Sequence, residues 1–172
     1  NTTGYQNTAH GNFALSKNTT GKRNTASGVS ALYKNTTGYY NVAKGYYALY
    51  SNTTGKRNTA LGYGAMRSNT TASNSTATGY YALYKNTRGA SNTAAGYSAL
   101  YANTTGKKNT GIGQEAGRSN KTGSGNVFIG YRAGYHETSS NRLYVANGTG
   151  ASATLIFGNF ASGDLQLGLD SG

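Results

Sequence analysis

An Asn-Thr pair or a close variant begins at Asn1, Asn18, Asn35, Asn52, Asn69, Asn86, Asn103 and Asn120, always 17 residues after the one before. Eight units fill residues 1–136 without an insertion, on the consensus N-T-T-G-x-x-N-T-A-x-G-x-x-A-L-Y-x. Positions are numbered 1–17 within this unit below. A second Asn recurs at position 7, as in Asn7, Asn24, Asn41 and Asn58, and only Ser75 breaks the column. Gly at position 11, starting with Gly11, Gly28, Gly45 and Gly62, never fails. A constant period means that identical units stack in register. Seventeen residues are too few for a helical-hairpin repeat, and Asn, Thr, Gly and Tyr are poor helix formers. Thr and Tyr suit strands, whereas Gly and Asn suit corners.

The period therefore predicts an all-β fold, a β-solenoid (parallel β-roll) of eight 17-residue coils over residues 1–140. Each coil is expected to hold two short strands, near positions 5–10 and 12–16. Corners are expected at the Asn-Thr-Thr-Gly box, with Asn in left-handed backbone angles, and at the constant Gly. At about 4.8 Å per rung, eight coils make a rod of about 38 Å.

Its interior is thin. Each coil supplies one Leu at position 15 and two Ala at positions 9 and 14. That is weak support for 17 ordered residues at ~25 cal/mol per Å² of apolar burial. Stacked Asn side chains and association of chains are the two available supplements, and a homotrimer is expected. After Ser140 the period stops. Short strand-like runs, among them Leu165, Leu167 and Leu169 alternating with Gln166 and Gly168, read as a C-terminal β cap or collar over 141–172 that covers the last rung.

Charge is unevenly placed along the chain. The net charge is +12, and residues 1–114 hold twelve Lys or Arg and no acid. All four acids, Glu115, Glu137, Asp164 and Asp170, follow. The absence of Cys excludes disulfides and thiolate metal sites, and no apolar run approaches the ~18 residues of a membrane span. Membrane insertion, a metal site and a cofactor are not expected. The start at Asn1, without Met, leads us to expect a fragment or a processed form.

Several segments resemble a known repeat family. "NTALG" (Asn58 to Gly62), "NTGIG" (Asn109 to Gly113) and "NVFIG" (Asn126 to Gly130) look like the rungs of trimeric autotransporter adhesin heads. The longer spelling "NTAxGxxALYxNTTG" resembles repeats of phage tail fibres and bacterial surface fibres, although these coils are longer than the usual adhesin rung. "NVFIGYRAGYHETSSNRLYVANG" (Asn126 to Gly148) looks like the exit from such repeats toward a C-terminal chaperone domain. The resemblance implies a parallel β-roll that trimerises side by side and an extracellular place on a virion or cell surface.

Candidate chemistry is sparse. His10 and His136 stand at opposite ends of the repeat array, no Ser-His-acid grouping is suggested, and "GIGQEAG" lacks the strand-helix context of a nucleotide loop; an enzyme is not expected. A specific nucleic-acid site is not expected either, since the charge is spread along a rod and no known module appears. Positions 5 and 6 carry the strongest candidates. They alternate Lys22-Arg23, Tyr39-Tyr40 and Lys56-Arg57, with Lys107-Lys108 further on. Alternation keeps like charges about 9.6 Å apart and interleaves aromatic faces. The column reads either as a solvated, self-compatible face or as a ligand strip for an anionic or neutral cell-surface polysaccharide. Tyr at positions 12 and 16 adds aromatic columns. Nine Asn-x-Ser/Thr sequons follow from the repeat, and three Thr columns resemble ice-binding arrays. The leading expectation is a structural, adhesive fibre segment; a filament subunit and an ice-binding solenoid are the alternatives.

Overall fold

The computed structural model describes residues 2–149 and 153–168, so Asn1, Leu169 and Asp170 lie outside the described residues. It is all-β. Eight three-residue strands occupy positions 8–10 of the eight coils: β1 (Thr8–His10), β2 (Thr25–Ser27), β3 (Val42–Lys44), β4 (Thr59–Leu61), β5 (Thr76–Thr78), β6 (Thr93–Ala95), β7 (Thr110–Ile112) and β8 (Val127–Ile129). Each pairs in parallel with the next at a register of one repeat, as in Ala26 opposite Ala43 and Ala43 opposite Ala60. This is the β-solenoid that the period predicts.

The second strand of each coil is absent. Positions 12–16 form a turn, and the cause lies in the backbone. Positions 6, 13 and 15 have φ near +50 to +70° in every coil, for example Tyr40 (57°), Tyr47 (57°) and Leu49 (51°). None of these 24 positions carries Thr, Val or Ile, the side chains for which left-handed angles cost most. The turn still belongs to the ladder. Leu32 N–H donates to Ala48 O and Lys34 N–H to Tyr50 O, both at 3.0 Å. Every coil is thus hydrogen-bonded to its neighbour well beyond its three-residue strand.

The interior is as thin as the repeat implies and is fully buried along the central coils. Ala26, Ala43 and Ala60 at position 9, Ala48 and Ala65 at position 14, and Leu32, Leu49, Met66 and Leu83 at position 15 are fully buried. Coils 7 and 8 solve the same volume differently. Phe128 replaces Ala at position 9, and Gly117 and Gly134 replace Leu at position 15; a Cβ on either glycine would run into the Phe128 ring. One large ring thus does the work of two leucines.

Two columns of buried Asn complete the core. At position 1, Asn52 Nδ2 donates to Asn35 Oδ1 (2.8 Å) and to Gly55 O (3.1 Å), while Asn69 Nδ2 donates to Asn52 Oδ1 (2.8 Å). At position 7, the backbone N–H of Asn58 donates to Asn41 Oδ1 (3.0 Å), and Asn58 Nδ2 donates to Ala72 O (2.8 Å). None of these ladder residues has a positive φ. Asn is therefore kept for its amide, which gives and takes at once, and the left-handed corner expected for it is not found. Ser75, the one exception at position 7, keeps half of the pattern: its Oγ accepts from Asn92 N–H at 3.1 Å. An Asn52→Ala substitution removes three buried hydrogen bonds and leaves Asn35 Oδ1 without its donor. At 1–3 kcal/mol for a buried orphan, a loss of about 3 kcal/mol is expected, read as a lower midpoint in urea unfolding.

β9 (Arg142–Ala146) adds in parallel to β8; β10 (Thr154–Asn159) and β11 (Asp164–Leu167) continue antiparallel. Glu137 ties the junction. Burial would raise its carboxyl, but N–H groups of Ser139 and Thr138 and the Tyr144 hydroxyl donate to it and hold it below its usual value. Burial first, and this same bond second, push the Tyr144 phenol up to about 12 from 10.0. The lowered Glu137 contributes stability above the unfolded carboxyl range, and that contribution is lost as pH falls through its folded value. The raised Tyr144 contributes below pH 10 and loses it as pH rises toward 12. Wild type is therefore expected to loosen at the cap at both extremes. Tyr144→Phe is expected to lose the alkaline step and to weaken the acid one, since the Tyr144 hydroxyl is one of the groups that hold Glu137 low, as read by hydrogen exchange at β9.

Candidate functional site

The outward side chains fall into two separate regions, a basic strip at positions 5 and 6 and an aromatic face at positions 12, 13 and 16. Position 6 projects from a left-handed residue next to buried Asn, so its side chain stands in solvent at each coil. Within the strip, Lys22 Nζ lies 5.3 Å from the centre of the Tyr5 ring and Lys56 Nζ lies 5.4 Å from that of Tyr39. The Arg23 guanidinium covers Tyr40 at 5.2 Å, donates through Nε to Gln6 Oε1 and through NH1 to the Tyr40 hydroxyl. The hydrogen bond from Lys22, and then its charge, hold the Tyr5 phenol below its usual value. Coils 1–4 thus bring together Lys22, Arg23, Tyr39, Tyr40 and Lys56. Arg57 is exposed beside them, and among the described residues neither it nor Lys107 and Lys108 has a side-chain partner. The last two stand three coils away, at about 14 Å.

A cation over a ring is ordered without being neutralised. This distinguishes the shaft from an ordinary charged surface. Among the described residues the ion pairs are confined to Glu115 with Arg118 (3.2 Å) and Arg132 (2.6 Å) and Glu137 with Arg142 (4.0 Å). None of the twelve cations of residues 1–114 has an ion-pair partner among the described residues, and six of them, Lys22, Arg23, Lys34, Lys56, Arg67 and Lys85, rest on tyrosine rings.

The aromatic face is a second assembly. Tyr46, Tyr63, Tyr80 and Tyr97 stack along the rod with centroids 5.1, 5.1 and 5.5 Å apart, each 40–50 % exposed. Tyr46 and Tyr81 are raised, first by hydrogen bonds to Tyr47 and Tyr80, and Tyr63 by burial among its neighbours. Because Tyr63 and Tyr80 have a ring on either side, this column offers edges and hydroxyls more than open faces. Position 16 reads Tyr33, Tyr50, Arg67, Tyr84, Tyr101, Arg118, Tyr135. Arg67 lies over Tyr50 (5.4 Å), Tyr84 (5.8 Å) and Tyr47 (5.3 Å), and Arg118 over Tyr101 (5.2 Å) and Tyr135 (5.5 Å). These two arginines were not among the sequence candidates. Their signal was in plain view, an Arg set three coils apart in a column of Tyr.

Other candidates change standing. The sequon asparagines at position 1, from Asn18 to Asn120, are buried in the ladder, whereas Asn74 and Asn147 are exposed. In the folded chain only those two of the described sequons are open to modification. The Thr column at position 2 spends its hydroxyls internally, as in Thr53 Oγ1 to Thr70 O at 3.0 Å. The outward Thr column at position 8 is flanked at position 10 by His10, Lys44, Leu61 and Ile112. Among the described residues no cluster of His, Cys, Asp or Glu has metal-site form, and no helix is long and apolar enough to cross a membrane. No family model, no curated protein and no solved structure matches this chain.

Proposed function

We propose that this chain is a non-catalytic shaft segment of an extracellular adhesive fibre, of the kind carried by phage tails or bacterial surfaces. It works as a homotrimer that meets an anionic cell-surface polysaccharide along its basic strip. The single observation that carries the reading is the uncompensated charge of residues 1–114, with half of its cations preordered on tyrosine rings. A polyanion lying along the rod meets successive cations already held in place. Little side-chain entropy is then lost per contact, and weak contacts on three chains add by avidity. The cap supports association: Leu155, Phe160, Leu165 and Leu167 are 55–62 % exposed, an unusual density of bare apolar side chains for a free surface.

Calorimetric titration with a uronate polysaccharide and with a neutral one tests the ligand class. The expected result is tight binding of the first, weakening steeply with salt, and at least about tenfold weaker binding after Lys22, Arg23, Lys56 and Arg57 are all changed to Ser. Equal affinity in that variant overturns the strip. A solution mass equal to that of one chain overturns the trimer.

A further inference from the structure

Position 13 places rings on alternate coils, Phe13, Tyr47 and Tyr81, with Ser30 and Gly64 between them. The gap at Gly64 is closed. A Cβ there would come within 2.8 Å of Tyr81 Cδ1, because the Tyr81 ring lies across it. The gap at Ser30 is not filled, although Ser30 itself is only 7 % exposed. It is a surface hollow of about 300 Å³ lined by Phe13, Tyr33, Tyr47 and Tyr50 and by Val29 and Ser30. The difference has a visible cause. Tyr47 and Tyr81 each meet the ring before them at 4.1 Å, but Tyr47 is also held by the Arg67 guanidinium of the coil beyond it at 5.3 Å, whereas the residue equivalent to Arg67 beside Tyr81 is Tyr101 and the Tyr81 ring lies back against Tyr63 at 5.5 Å.

We infer that this vacant rung is a binding slot for one acidic sugar ring, a pyranose bearing a carboxylate. Phe13 and Tyr47 are two rungs apart, about 9.6 Å. A six-membered ring held midway along the rod is one rung, about 4.8 Å, from each of their coils, a spacing within the 4.5–7 Å range of favourable ring contacts. A pyranose suits such walls, since its C–H faces are apolar and its rim is hydroxylated. The rim of the slot matches with the phenols of Tyr33 and Tyr50 and the amide of Asn12. Lys34 selects the charge. Its Nζ lies 5.4 Å from the centre of the Tyr50 ring, and no acid in residues 1–114 competes for it. The slot lies on the aromatic face, apart from the basic strip. It deepens the glycan-contact reading and rests on it, adding recognition of a single residue to non-specific attraction for the polymer.

Ser30→Tyr is the decisive variant. Tyr47 and Tyr81 occupy the equivalent left-handed position, so a tyrosine fits the backbone and fills the rung from within. Titration of the full chain with methyl glucuronide is expected to show saturable binding at one site per chain. That binding is lost in Ser30→Tyr and about tenfold weaker in Lys34→Gln. Polysaccharide binding through Lys22, Arg23, Lys56 and Arg57 is expected to survive Ser30→Tyr, so failure of the slot and failure of the strip are read separately. If Ser30→Tyr melts early, Phe13→Ala replaces it, since Phe13 is 59 % exposed and its loss spares the core. Absence of saturable binding, or binding unchanged in the slot variants, overturns the site. Equal affinity for the neutral methyl glucoside overturns the assigned class.

Discussion

Phe128→Ala is expected to destabilise the chain by about 4 kcal/mol, the range found when a buried Phe is cut to Ala. The site cannot collapse, because the two residues facing the ring, Gly117 and Gly134, have no side chains to move into the void. At about 2–4 °C per kcal/mol for a chain of this size, the melting midpoint falls by roughly 8–16 °C. Contacts in a solenoid run only to the nearest coils, so the loss appears first in coils 7 and 8 and the cap. A rescue separates packing from other causes. Phe128→Ala with Gly134→Leu rebuilds the interior of coil 3, where Ala43 and Leu49 fill the same two positions. Leu49 already adopts φ of 51° there, close to the 58° of Gly134, so the double variant is expected to recover most of the stability. Melting of the two variants side by side checks it; a double variant no more stable than the single overturns the volume argument.

Gly45→Ala is expected to cost about 4 kcal/mol as well, through a different mechanism. Gly45 has φ of +135°, a region costing an L-residue about 1–3 kcal/mol, and an added Cβ would meet the Gly62 carbonyl group, 2.7 Å from its carbon. The coils must part there, at the expense of the Gly62 N–H bond to Lys44 O (2.8 Å). Position 4 makes the comparison. Gly55 is as crowded, an added Cβ falling on Ala72 O and on Asn52 Oδ1, but its φ is not positive, and Ala72 occupies the same position naturally with 2 % exposure. Gly55→Ala is therefore expected to cost about 1 kcal/mol or less, in keeping with a substitution that relaxes locally. Urea midpoints of the two variants should differ widely; equal midpoints would show that crowding, without the backbone angle, accounts for both.

These residues also show how much was readable. The stack, its register and its thin Ala-Leu interior follow from a period that never slips, because an insertion in any coil would shift every later one out of line. The constant Gly at position 11 was readable as a corner for the same reason. The second strand was misread. Tyr at positions 12, 13 and 16 has strand propensity, but left-handed residues at positions 13 and 15 override it, and their only trace is that no β-branched residue ever occupies them. Asn was read in part. Its stacked side chains were expected to support the thin interior, and they do, with each amide serving two neighbouring coils; the left-handed backbone angles expected for it at the corner are not found.

The candidate contacts divide in the same way. The basic pairs and their alternation with Tyr are local facts of sequence, and so is the lack of acids to quench them. Which cation lies on which ring is not local. Lys22 leans back to Tyr5, Arg23 leans on to Tyr40, and Arg57 does neither, although Arg23 and Arg57 hold the same place in the same spelling, NTTGKRNTA. Repetition by itself determined the solenoid, its coil length and its charge, since each depends only on residues one period apart meeting their equivalents. The tertiary structure alone decided which faces those residues share, how Phe128 trades volume with two glycines, and that the rung at Ser30 stays open. Those outcomes depend on side chains from three successive coils competing for one space, and no single repeat records that competition.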